Sequence, residues 1–219
     1  MCMAHGRIAI VTRHYENGQL IVPGEPVINN YTMTIDDKIK RVKRIYRQLD
    51  IHNSTFKRAS GMACPENCGE CCKKPDIEAT VLEFLPAAYE LYLSGEYEGI
   101  LERLSSNEDP ICVFFNPFRE GGNCSMYGNR GLVCRLFGFS TRPDRNGKVV
   151  LVTCSILKRS MDQVIPGNNL QKAPVMPSYY MKLFGIDPQM STTYFPVNEA
   201  IRKALEIVLF QFSHRKKPA

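Results

Sequence analysis

The chain is 219 residues long, 44% hydrophobic and 23% charged, with a formal charge of +6 from 28 Lys and Arg against 22 Asp and Glu. Such a composition excludes an intrinsically disordered chain and fits one ordinary globular domain, or one domain with extensions. No run of about 18 apolar residues is present to span a bilayer, and the mild charge does not single out nucleic acid as a partner; a protein partner or substrate is a candidate beside it.

In chain order, residues 7–12 read as a short strand, soon broken by Pro23, Gly24 and Pro26. The opening residues lack the charged-then-apolar layout of a secretory leader, which places the chain in the cytoplasm, where thiols stay reduced. A helix follows. Thr34 and Asp37 have capping-box spacing, and Ile35, Ile39, Val42, Tyr46 and Leu49 recur on one face. Lys38, Lys40, Arg41, Lys43, Arg44 and Arg47 lie mostly elsewhere, as a solvated face or a partner surface. A weaker helical stretch runs from Phe56 towards Ser60-Gly61.

Four cysteines then fall within nine residues, Cys64 to Cys72, and Pro75 closes the cluster. Thr80 and Glu83 form a second capping-box pattern, opening a helix towards Leu93 in which Pro86 implies a kink or a restart. Ser94-Gly95 ends it, and Tyr97 to Leu104 predicts another short helix. Residues 111–154 look β-like. Arg135–Arg142 and Lys148–Thr153 flank an Asn-Gly turn and read as a hairpin, with Cys134 and Cys154 at its open ends. From Ser160 to Pro196 repeated prolines predict irregular chain. A last amphipathic helix spans Asn198 to Phe212, before His214 and three basic residues.

The fold class expected is α+β: a small cysteine-rich metal-binding core with β-hairpins, surrounded by helices. Residues 1–60 form an N-terminal extension with the basic helix, 61–157 the cysteine core, and 158–219 a proline-rich segment and final helix packed on that core.

The nine cysteines carry the chemistry. Cys2 stands apart, and the other eight would supply two four-thiolate sites. In Cys64-x3-Cys68-x2-Cys71-Cys72 the short spacings let several sulfurs converge at little loop-closure cost. Thiolates favour zinc and iron–sulfur clusters over hard cations, and gathering four without a cation would be prohibitive. Adjacent Cys71 and Cys72, if extended, point opposite ways. Cys112, Cys124, Cys134 and Cys154 form the second set, each otherwise a small buried hydrophobe. Arg130 and Arg135 are placed to offset thiolate charge, and Tyr127 to donate its hydroxyl. Ordinary surface or core roles are the alternatives. His5, His14, His52 and His214 lie outside the cysteine region and read as surface or capping residues.

This array, Cys64-x3-Cys68-x2-Cys71-Cys72 followed by Cys112, Cys124, Tyr127, Arg130, Cys134-Arg135 and Cys154, resembles the cysteine-cluster family of zinc- or iron-chelating domains over about residues 60–155. The flagellin lysine N-methylases look like relatives with the same cluster type. The resemblance implies a chelating role for the eight cysteines, with an iron–sulfur cluster or zinc as cofactor. It also makes S-adenosylmethionine-dependent lysine methylation or redox chemistry a candidate activity. The chain departs at Gly131, where the family usually has proline. The competing expectation is a non-enzymatic, zinc-organised binding module or a metal-handling protein.

Overall fold

The computed structural model describes residues 15–16, 19–20, 33–66, 68–106, 110–118, 123–161 and 170–213. The chain divides into two compact units, Met1–Thr32 and Met33–Ala219. The first holds a short antiparallel pair, β1 (Tyr15–Glu16) and β2 (Gln19–Leu20), with Tyr15 opposite Leu20. The strand expected over residues 7–12 lies outside the described residues, as do His5, His14 and His214.

The second unit begins with α1 (Ile35–Ser60), a single helix of 26 residues. Thr34 caps it: its Oγ1 accepts the Asp37 amide at 3.2 Å and donates to the Asp37 carboxylate at 2.7 Å. Ile39, Val42, Tyr46, Leu49 and Phe56 are all buried on one face. Full burial of a side chain such as Leu49 or Phe56 contributes about 1.5–3 kcal/mol. Phe56 belongs to this same helix rather than to a separate stretch, and Gly61 ends it with φ 68°, a left-handed conformation that glycine adopts without steric cost. Three of its basic residues are engaged locally, Lys38 with Asp187, Lys40 with Asp36 and Lys43 with Glu90.

The centre of the unit is α2 (Val81–Ser94), which α1 and the last helix, α8 (Val197–Phe212), both pack against. Every residue from Val81 to Ala88 is buried, the mark of a helix enclosed on all sides. The Thr80–Glu83 capping box forms as the spacing predicts, and the helix continues through Pro86 without interruption. Two three-residue strands, β3 (Glu78–Thr80) and β8 (Tyr194–Pro196), pair antiparallel immediately before these helices and set them side by side. α3 (Tyr97–Ser106) follows α2, and the Tyr92 hydroxyl donates to the Phe212 carbonyl, tying α2 to the end of α8.

Residues 111–154 are mixed rather than β-rich. Strands β4 (Phe115–Asn116) and β5 (Asn123–Cys124) pair, α4 (Leu132–Leu136) follows, and β6 (Ser140–Pro143) pairs with β7 (Val149–Val152). The expected hairpin exists, with the Asp144 carboxylate accepting the Asn146 and Lys148 amides and Gly147 at φ 78°. It is shorter than the sequence suggested. Leu132 and Leu136, four apart, both bury against the core and hold residues 132–136 as a helical turn.

The stretch expected to be irregular carries α5 (Ser155–Met161), α6 (Met176–Phe184) and α7 (Pro188–Thr192). Pro177 and Pro188 lie in the first turns of α6 and α7, where a missing N–H costs nothing, so they start helices instead of breaking them. Eight helices and short antiparallel strand pairs among the described residues make the fold α+β. No described helix is long and apolar enough to cross a membrane.

Candidate metal centre

Gly61 turns the chain out of α1 and buried Met62 anchors the loop that follows. Within that loop the Cys68 amide bonds the Pro65 carbonyl at 3.2 Å and the Cys72 amide bonds Gly69 at 2.9 Å. Cys71 and Cys72 therefore lie in a 3-10 turn, Glu70–Lys73, not in an extended segment. Successive side chains there diverge by about 120° instead of alternating, and both thiols face the same space.

The later cysteines are brought in by backbone bonds. The Cys112 amide donates to the Cys72 carbonyl at 3.0 Å, and Phe115 stands opposite Cys124 in the β4–β5 pair. Cys134 rides on α4. Cys154 precedes α5, and its Sγ accepts the Leu157 amide at 3.4 Å. The result is one cavity of about 440 Å3 lined by all eight cysteines from Cys64 to Cys154, together with Lys57, Glu66, Glu70, Tyr127 and Arg130.

Cys72 is the hub of the buried end. Its thiol interacts with those of Cys112, Cys124 and Cys71, and these neighbours, with burial, raise its pKa far above the ordinary thiol range. The same proton held on Cys72 stabilises Cys71 and Cys124 as thiolates. Cys71 is pulled down to about 6, first by Cys72 and then by the Arg130 charge against the opposing effect of burial, and Cys124 is lowered for the same reasons. Burial pushes Cys134 well up, with Cys112 next in influence. At the other end burial raises Cys64, whose thiol neighbours are Cys68, Cys154 and Cys71 and whose nearby cation is Lys57.

The residues expected around the thiols divide. Arg130 lines the cavity, its guanidinium 4.0 Å from the centre of the Tyr127 ring, and its buried Nε has no hydrogen-bond partner. Arg135 faces away from the thiols. Its three described hydrogen bonds go to oxygen: the Arg130 carbonyl at 3.0 Å, the Gly128 carbonyl at 2.5 Å and the Asp50 carboxylate at 2.5 Å. Its guanidinium also lies 4.4 Å from the centre of the Tyr46 ring. It braces the 128–130 turn from behind. His52 pairs with the Tyr179 hydroxyl at 3.1 Å and does not line the cavity.

Several supporting residues are not visible as site residues in the sequence. The fully buried Glu83 carboxylate accepts the Thr80 amide at 3.0 Å through Oε1 and the Val133 amide at 2.7 Å through Oε2. It thereby caps both α2 and the turn bearing Cys134. From α1, Tyr46 donates to the Glu83 carbonyl, Asn53 donates to the Arg135 carbonyl and Lys57 reaches the cavity over Phe139. Capping-box spacing marks Glu83, but nothing local to α1 marks Asp50, Asn53 or Lys57.

Among the described residues no three His, Cys, Asp or Glu side chains are already set as a coordination shell. The thiols face a shared space rather than a common point. By donor chemistry they fit zinc or iron, since soft sulfur is abundant, no histidine among the described residues lines the wall, and a metal removes the cost of holding thiolates together.

Residues 63–155 match the CxxCxxCC family model, described as a "putative zinc- or iron-chelating domain", and the matched span contains all eight cysteines of the cavity. No curated protein and no solved structure matches the chain.

Proposed function

We propose that this protein chelates iron as an iron–sulfur centre, held in the cavity by cysteine thiolates. The observation that supports it is the convergence of eight thiols on one space of about 440 Å3. A lone zinc ion with Zn–S bonds near 2.3 Å draws its four sulfurs to about 3.8 Å of one another and needs no such space. A cluster that brings its own sulfide fills more of it. Bound there, such a centre supplies one-electron transfer. The chain's own part is to bind it, to exclude water with Phe84, Phe114 and Phe139, and to offset negative charge with Arg130 and Lys57.

Zinc is the second reading. The cysteine-bearing segments hold mostly two-residue strands and single 3-10 turns, and a closed thiolate–zinc site is a known way to organise such a chain. Anaerobic purification followed by an absorption spectrum and metal analysis separates the two. A brown protein with iron and acid-labile sulfide supports the cluster. A colourless protein with stoichiometric zinc overturns it.

A further inference from the structure

We propose that Asn198, in the first turn of α8, is a positioning residue for the metal centre: its side-chain amide fixes the segment Ile111–Cys112–Val113 and so aims the Cys112 thiol into the cavity. The assignment deepens the chelation reading and rests on it, adding a residue that itself carries no ligand atom for the metal.

The Asn198 amide is used at both ends. Its Oδ1 accepts the Val113 amide at 2.8 Å, and its Nδ2 donates to the Ile111 carbonyl at 2.9 Å. An acceptor and a donor side by side on one carbon are what an Asn or Gln side chain offers. The residue between the two contacts, Cys112, is held by other groups. Its own amide donates to the Cys72 carbonyl at 3.0 Å, and its carbonyl accepts the Phe115 amide at 2.8 Å.

Both peptide groups that flank Cys112 are therefore pinned at both ends. Each peptide group is planar, so fixing the two of them fixes the rotations about the Cα between them and with those the direction of Cβ. The Cys112 side chain is buried and lines the cavity. None of the four bonds involves a thiol, so this aim is set by the backbone and owes nothing to the charge carried by the cysteines.

Asn198 stands on a rigid base. Beside it the Val197 amide donates to the Ile77 carbonyl at 2.9 Å, and β8, which leads into α8, is paired with β3. Val197, Ala200 and Ile201 of the same first turns are buried in the main core. Holding a ligand-bearing segment from such an element is how a site is made ready before its metal arrives. Asn198 also lies well beyond residue 155, where the family match ends. The matched span thus supplies Cys112 but not the side chain that orients it.

The test uses the full-length chain with Asn198→Leu and Asn198→Asp. Leucine is close in size and removes both bonds. Aspartate keeps the acceptor for Val113, loses the donor to Ile111, and suits the positive end of the helix dipole. The zinc or iron held after anaerobic purification is challenged with a chelator. The concentration that strips half of it is expected to fall about 10–100-fold in Asn198→Leu, the scale of losing a group that orients a ligand, and by less in Asn198→Asp. In reduced, metal-free protein, alkylation by iodoacetamide mapped residue by residue is expected to rise several-fold at Cys112 and to stay unchanged at Cys64 and Cys154. A role confined to stability would lower Tm while leaving both the chelator profile of the folded protein and the Cys112 reactivity as in wild type, and that result overturns the proposal. Should Asn198→Leu fail to fold, Asn198→Asp decides by the same two readouts. A wild-type chain that holds neither zinc nor iron overturns the chelation reading itself.

Discussion

The Val133 amide donates to the Glu83 carboxylate at 2.7 Å, joining the first turn of α4 to the first turn of α2 across 50 positions of sequence. Glu83 thus stands behind Cys134 as the anchor of its helical turn. Replacing it with Ala leaves the Thr80 and Val133 amides without acceptors, and an unsatisfied buried donor costs about 1–3 kcal/mol. Glu83→Ala is expected to lower stability by several kcal/mol in urea denaturation, and a loss below 1 kcal/mol would show that water replaces the carboxylate.

The same residue gives a pH dependence. Burial, the dominant influence, holds the Glu83 carboxyl above its ordinary range, against hydrogen bonds from Thr80 and Val133 that pull it down. A carboxyl raised in the folded state contributes stability that is complete below the unfolded value, about 4.3. That contribution is lost as pH rises through the folded value. Glu83→Gln has no such titration, so the stability margin of wild type over this variant is expected to narrow from pH 4 towards neutrality. Denaturation midpoints measured across that range give the answer, and a margin that widens would contradict it.

Arg135 is 4% exposed in its side chain while its partner Asp50 is 49% exposed. The pair is therefore unequal. Water can replace Arg135 around Asp50, but little can replace the fork that Arg135 presents to two carbonyls and a carboxylate. Arg135→Lys keeps the charge and loses the fork, and is expected to cost about 1–3 kcal/mol through the carbonyls left unpaired. Asp50→Asn is expected to cost less. Thermal melts of both variants check the ranking, and a reversed order would refute it.

Much of this architecture was legible in sequence, and the reasons differ by element. α1, α2 and α8 declare themselves because apolar residues recur with helical spacing and each buries one continuous face or more. The cysteine array is legible because its spacings are short. α4 is not, because its anchoring partner, Glu83, belongs to another helix and its five residues carry no period of their own. α6 and α7 were hidden by Pro177 and Pro188, which read as breakers until their first-turn positions are known. Arg135 follows Cys134 directly, but the Gly128 and Arg130 carbonyls together with Asp50 turn it away from the sulfurs.

Metal removal supplies a further prediction. A ligand held at about a thousandfold above its dissociation constant adds about 4 kcal/mol to stability, and for a unit of this size each kcal/mol moves Tm by about 2–4 °C. Stripping the metal with a chelator under reducing conditions is expected to lower Tm by roughly 10 °C, with recovery on readdition. An unchanged melt would mean that the cavity does not stabilise the fold through metal.

Gly131 and Phe84 form a coupled pair. Gly131 has φ −61° and ψ 168°, and Arg130 before it has φ −58° and ψ 151°, a backbone already shaped for proline at 131. What forbids it is space: a Cβ there would lie 2.8 Å from Cζ of Phe84, a ring that is 1% exposed. Gly131→Pro alone is expected to destabilise. With Phe84→Leu beside it the clash is removed, and the proline's restriction of the unfolded chain returns about 0.4–1 kcal/mol. A double-mutant cycle reads the coupling, and strict additivity would show that the ring yields on its own.

Tyr46, Asp50, Asn53 and Lys57 succeed one another at intervals of four, three and four along a single unbroken helix, and each meets a different part of the site. α1 therefore works as a gauge. Point changes on its outer face leave the marks in place, but one residue inserted or deleted between Asp50 and Asn53 turns everything beyond by about 100° and moves it about 1.5 Å. Such an indel would carry Asn53 and Lys57 off the cavity while every cysteine remained, so the chain tolerates altered letters along this helix far better than an altered count.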